Sequence, residues 1–312
     1  MRPRPAALAL GLLLAGCLRN VPVPAVSAPG DAAALARGRY LATALCACDA
    51  CHSPRDWTRP AGPQDPSRAF HGGDNAGPRD GLGAGAVLHA PNLTPTRLGP
   101  WSDGELVRAI TAGMGRGNHP LFPSMPYREY QALALDDALA LVAFLRTLPP
   151  APDATPERVL PFPLGLVVNG IPRPVTLRPQ APAPGSPEYG EYLTRSAGCV
   201  WCHSEVDGFG RVKAGGELSG GHAFPVPAPG SGTVVSANLT PDPETGLGTW
   251  TREAFLARFR QADAAAPLAP GAPNSVMPWA SYRALTDQDL GAIHAFLQGL
   301  PARRRPVVKY LP

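Results

Sequence analysis

Cys48-Asp49-Ala50-Cys51-His52 and Cys199-Val200-Trp201-Cys202-His203 are the two stretches on which the reading of this chain turns. A Cys-x-x-Cys-His run is the attachment signal for c-type haem. Cysteines three apart on a helical turn present both sulfurs on one side, placed to form thioethers with two vinyl groups. The histidine that follows lies beneath the ring and supplies the proximal nitrogen to iron. A lone Cys-x-x-Cys would equally suit zinc or a redox dithiol. Two copies, each followed by histidine and with no other metal-ligand cluster in the chain, point instead to two covalently bound haem c groups. Cys48, Cys51, Cys199 and Cys202 would carry them, with His52 and His203 on the irons.

Working outward, the surroundings of the two motifs repeat. Tyr40-Leu41 matches Tyr192-Leu193, and Asn92-Leu93-Thr94-Pro95 recurs as Asn238-Leu239-Thr240-Pro241. Leu98-Gly99-Pro100-Trp101-Ser102 recurs as Leu247-Gly248-Thr249-Trp250-Thr251, and Met125-Pro126-Tyr127 as Met277-Pro278-Trp279. A repeat this long is a duplicated domain rather than a solenoid unit. The 312 residues suffice for two domains with separate cores. The expected fold is mainly α: two tandem class I cytochrome c domains, residues 31–149 and 187–302, with few or no strands. Residues 150–186 form a proline-rich connector whose apolar stretch Leu160 to Ile171 suggests that it lies on a domain surface. Residues 303–312 are a basic tail, either a solvated end or a docking contact for an acidic partner.

Within each copy a first helix, about residues 31–51 and 187–202, leads into the motif. A middle helix follows Trp101 and Trp250, where Ser102 and Thr251 can cap the first turn and Glu105 and Glu253 suit the helix dipole. A last helix is expected over about 136–147 and 287–299, with Thr286 and Asp289 close to a capping box. Trp101 and Trp250 read as core residues beside the haem edge.

The far side of each iron needs a second ligand. Of the four methionines, Met125 lies 77 residues beyond Cys48 and Met277 lies 78 beyond Cys199, each before a proline in a loop preceding the last helix. Both are expected as axial ligands, a pairing with histidine that raises the reduction potential. Met114 has no counterpart and reads as packing. His71, His89, His222 and His294 read as structural or surface groups, as does His119, the rival ligand nearest Met125. Cys46 is unmatched, and Gly38 to Cys48 spans ten positions where Gly190 to Cys199 spans nine. A buried thiol filling a small apolar site is one reading of it. The others are an intermolecular disulfide and competition with Cys48 for a vinyl group.

Arg2 and Arg4 precede an apolar run too short to span a bilayer as a helix, as in an export signal. It runs into Leu14-Ala15-Gly16-Cys17, which resembles a bacterial lipobox, so residues 1–17 are expected to carry the signal and Cys17 the lipid. Residues 18–30 would be a flexible tether on the periplasmic side of a membrane. Cleavage after Ala28 is the alternative, opposed by Pro29. Forty prolines and 34 glycines predict much irregular chain between short helices. A net charge of +4, part of it in the signal and offset by haem propionates, gives no basis for a nucleic-acid partner.

With Ser53-Pro54-Arg55 after the first motif, these elements resemble one family over nearly all of residues 31–301. It comprises the multihaem cytochrome c subunits of bacterial membrane-associated dehydrogenases that oxidise alcohols, gluconate and related substrates. The resemblance implies two cytochrome c domains passing electrons from a dehydrogenase toward quinone or a terminal oxidase. Many members carry three haem domains; this chain carries two, which leaves partner and acceptor open. The expected function is electron carriage between redox proteins (a dehydrogenase subunit, an oxidase or another cytochrome), with no catalytic acid, base or nucleophile. The rivals are a dihaem enzyme such as a peroxidase with one open haem, and a haem-based gas sensor.

Overall fold

The computed structural model describes residues 20–311 apart from 79, 208–210, 228–231, 262–266 and 270. Cys17 and the signal segment lie outside these residues. The described chain is mainly helical, as expected, with twelve α-helices and one small sheet. The first half holds α1 (Ala32–Tyr40), α2 (Cys48–His52), α3 (Pro95–Leu98), α4 (Asp103–Ala112), α5 (Tyr127–Tyr130) and α6 (Leu135–Arg146). After α7 (Leu164–Val167) in the connector come α8 (Pro187–Ser196), α9 (Cys199–Cys202), α10 (Arg252–Arg260), α11 (Trp279–Tyr282) and α12 (Asp287–Gln298). Strands β1 (Ala223–Pro225), β2 (Thr233–Val235) and β3 (Tyr310–Leu311) pair antiparallel in that order.

The helix starts follow from local chemistry. Ser102 Oγ accepts from the Glu105 amide at 3.2 Å while Glu105 accepts from the Ser102 amide at 2.8 Å, a complete capping box. Thr251 caps α10 through Ala254, and Thr286 caps α12 through Asp289. Gly113, at φ 71°, ends α4 in the left-handed conformation that costs glycine little.

Each half is organised by one helix crossing. α1 packs on α6, and α8 packs on α12. At the crossings a Cβ on Gly38 would lie 1.9 Å from the Ala140 carbonyl oxygen, and one on Gly190 would lie 2.3 Å from that of Ala292. These backbones approach so closely that only hydrogen fits between them. Gly38→Ala or Gly190→Ala should therefore destabilise by about 1–3 kcal/mol through forced helix separation. Gly30→Ala, which meets open space, should change urea-unfolding midpoints little.

The extra residue of the first copy is absorbed just past α1. Leu41–Leu45 forms a π-turn closed by Cys46 N–H donating to the Leu41 carbonyl at 2.8 Å. Cys46 then falls where the second half has Ala197, and Ala47 (φ 47°) falls where it has Gly198 (φ 70°). Cys46 is only 6% exposed, which fits a thiol filling a small apolar site.

The halves meet through a reciprocal contact. Tyr40 Oη donates to Asp289 at 2.5 Å and accepts from the Thr286 amide at 3.3 Å. Tyr192 Oη donates to Asp137 and accepts from the Ala134 amide at 3.4 Å. These residues are related by the repeat, so each half offers its tyrosine to the other's last helix. Both carboxylates are buried in the first turn of that helix, where its dipole favours negative charge. Arg37 adds a two-bond ion pair to Asp137 at 2.7 Å, while at the equivalent place Tyr189 bonds Asp289 at 2.8 Å. The apolar core is consequently continuous across both halves, where separate cores were expected.

Two segments depart from expectation, and a third is held otherwise than its sequence suggested. Residues 20–30 do not hang as a free tether. Val21 is 2% exposed and accepts from Arg108 Nη1 at 2.8 Å, and the Ala28 amide donates to Asp103 at 2.8 Å. The basic tail is likewise tied down, by Arg304 on Glu244, Arg305 on Glu205 and the β3 pairing. The connector does lie along the first half, but through its backbone: the Leu135 and Asp136 amides donate to Arg178 and Pro179. In the apolar stretch that suggested this packing, only Val168 is buried among residues 160–170.

Candidate haem-binding sites

The two motif helices place equivalent groups in equivalent surroundings. His52, 7% exposed, donates from Nδ1 to the Pro91 carbonyl at 2.7 Å. His203 does the same to the Ala237 carbonyl at 2.8 Å. These carbonyls precede Asn92 and Asn238, so the repeated Asn-Leu-Thr-Pro segment orients the imidazole. Each asparagine accepts from the threonine amide two residues on, at 2.7 and 2.9 Å. Its Nδ2 donates to chain beyond the last helix, at Pro152 and Arg303. Burial pulls His52 down to about 4, against the raising effect of the Pro91 carbonyl, and lowers His203 likewise. Both rings are therefore neutral at pH 7 with Nδ1 engaged, the state in which Nε2 binds a metal.

The cysteines fit attachment better than dithiol chemistry. None of the five described cysteines is in a disulfide. Burial pushes Cys48 and Cys199 up to about 12, helped by the charges of Asp49 and Glu129 respectively. A dithiol oxidoreductase needs a depressed thiol pKa at this first position. Among the described residues no group of three or more His, Cys, Asp or Glu converges as a metal site.

Met125 and Met277 sit at matching turns, each half-buried at the edge of the core. The amides of Tyr127 and Trp279 bond back to their carbonyls at 2.8 Å, opening α5 and α11. The Met277 loop is held by the other half. Asn274 accepts from the Ala61 amide at 2.6 Å and donates to the carbonyls of Trp57 and Arg59. Ser281 bonds Asp49 and Gln64 of the first half. This bracing was not legible in the sequence, because its partners lie more than 200 residues apart. Met114 is fully buried with Val21 and Ala112, a packing residue.

The remaining histidines take structural or surface places. His89 bonds the Gly73 carbonyl, His222 that of Trp201, and His294 that of Trp250. His119 is exposed. Tyr130 and Tyr282 lie between the halves, donating to the carbonyls of Cys46 and Ala197.

In a mainly helical chain, each Cys-x-x-Cys turn is thus followed by a histidine oriented through Nδ1, buried at His52 and half-buried at His203. The chain is a homologue of cytochrome c subunits of bacterial dehydrogenases. It is 34% identical over 294 residues to the alcohol dehydrogenase (quinone) cytochrome c subunit of Gluconobacter oxydans (strain 621H), covering 87% of this chain and 56% of that one. The subunit of the same name from Gluconacetobacter polyoxogenes is 28% identical over 312 residues, covering 95% of this chain and 60% of that one. A diheme cytochrome c-type of Cereibacter sphaeroides is 29% identical over 228 residues, covering 68% of this chain and 71% of that one. The chain thus spans less than two thirds of the dehydrogenase subunits' length. No protein-family profile matches it.

Proposed function

We propose that this chain is a dihaem c-type cytochrome carrying electrons between a membrane-associated dehydrogenase, or another quinone-linked donor, and a respiratory acceptor. It would act on the periplasmic side of a bacterial membrane, anchored through a lipid on Cys17, with one cytochrome c unit in residues 31–149 and another in 187–302. One observation carries the reading: a histidine with Nδ1 held by a backbone carbonyl, buried at His52 and half-buried at His203, recurs in both halves with two cysteines on the helical turn before it and a methionine turn at the core edge.

Haem, when bound, supplies a one-electron iron couple. Cys48 and Cys51, and Cys199 and Cys202, would hold it covalently. His52 and His203 present Nε2, with ring orientation set by the carbonyls on Nδ1. Met125 and Met277 would offer the opposite thioethers, leaving no coordination position for a substrate and limiting the chemistry to outer-sphere transfer. The dehydrogenase partner is supported by the names of the relatives. No described helix is long and apolar enough to cross a membrane. The anchor on Cys17 rests on the lipobox-like Leu14-Ala15-Gly16-Cys17 run.

Spectra of the purified protein test this directly. Pyridine haemochrome should give two haems per chain, and the oxidised form should show a near-infrared methionine-to-iron band from both. A high-spin haem or peroxide turnover would replace the carrier with a dihaem enzyme or sensor.

A further inference from the structure

Residues 159–168, Val-Leu-Pro-Phe-Pro-Leu-Gly-Leu-Val-Val, contain no charged side chain and no side-chain hydrogen-bond donor. Packing does not account for them. Phe162 is 87% exposed, Val159 51%, Leu166 48% and Val167 45%. Four of the eight exposed large apolar side chains among the described residues thus fall in this one stretch. A concentrated, outward-facing apolar patch marks a surface that meets something other than water.

Its position identifies what it meets. Arg158 and Asn169, which flank the stretch, line one surface hollow together with Asn20. The neighbouring Val21 packs with Met114 and with Val175 of the connector. Its carbonyl is held by Arg108 at 2.8 Å. Cys17 precedes Asn20 by three residues, so the two Cα atoms can be at most about 11 Å apart. An acyl group on Cys17 would therefore bring the bilayer against the face that carries this stretch. Arg158 and Arg173 lie on either side of it, suited to phosphate headgroups.

We infer that residues 159–168 form a knuckle that dips into the lipid bilayer beside the Cys17 anchor, with Phe162, Leu166 and Val167 among the acyl chains. Acyl chains on Cys17 fix where the chain meets the bilayer but not how the domain is turned, and a second apolar contact fixes that orientation and adds to the attachment. The inference rests on the anchored reading above and adds to it the surface that faces lipid.

The test is photo-crosslinking of the full-length holoprotein. Phe162→p-benzoylphenylalanine and Leu166→p-benzoylphenylalanine are compared with the same change at Val308, a 70% exposed residue near the C-terminus. All three sites are exposed, so folding is spared, and the haem spectrum checks it. On vesicles of phosphatidylethanolamine and phosphatidylglycerol, lipid adducts at 162 and 166 should exceed those at 308 by about tenfold or more, the factor that burial of one phenylalanine side chain carries. Palmitate labelling reports Cys17 separately. Labelled protein with no excess of lipid adducts at 162 and 166 overturns the knuckle and leaves the anchor standing. Unlabelled protein that still gives the adducts keeps the knuckle and removes the anchor. Adducts to a protein instead of lipid in native membranes overturn the inference in favour of a subunit interface.

Discussion

Replacing Met277 by alanine is expected to lower the potential of the second haem by on the order of 0.1–0.3 V, within the ~0.8 V that axial ligands span. Its near-infrared band should vanish. A thioether stabilises the reduced iron, and alanine would leave that position to water or to a stronger donor. Met125→Ala should do the same to the first haem alone. Met114→Ala is the control. It empties a fully buried site at a cost of about 2–5 kcal/mol and should leave both bands in place. A potential unmoved by Met125→Ala would shift the ligand assignment elsewhere, with His119 the nearest candidate in sequence.

Removal of the Asp137 carboxylate should give the largest loss of stability at the contact between halves, about 2–4 kcal/mol for Asp137→Ala. The substitution strips Arg37 of both its bonds and Tyr192 of its acceptor. The figure stays at the low end for a broken buried pair because the Arg37 side chain, 30% exposed, can turn toward water. Asp289→Ala removes the acceptor of two hydroxyls and no cation, so about 1–3 kcal/mol is expected. Urea unfolding followed by far-ultraviolet circular dichroism measures both. Equal losses would show that the Arg37 pair contributes little beyond the hydroxyl bonds.

Much of this architecture was legible because it is local. The Ser102 and Thr286 caps and the helical Cys-x-x-Cys turns all follow from residues a few positions apart. The matched Met-Pro turns were visible through the repeat. The extra residue before Cys48 was visible too, but not its outcome, because a π-turn and a kinked loop have the same length. The Tyr40–Asp289 and Tyr192–Asp137 bonds escaped notice because a tyrosine in a helix does not announce a partner across the molecule. The tail and residues 20–30 misled for a related reason. Proline, arginine and small apolar residues read as solvated chain until Glu205, Glu244 and Arg108 are found beside them.

The tyrosine–aspartate contact carries one consequence for assembly. Each half uses the same patch to grip the other, which is the self-complementary geometry of a twofold homodimer. Because both patches lie on one chain, their meeting is intramolecular and independent of dilution. The pairing is not fully symmetric: Arg37 stands where the second half has Tyr189, so Asp137 meets a cation and Asp289 a second hydroxyl.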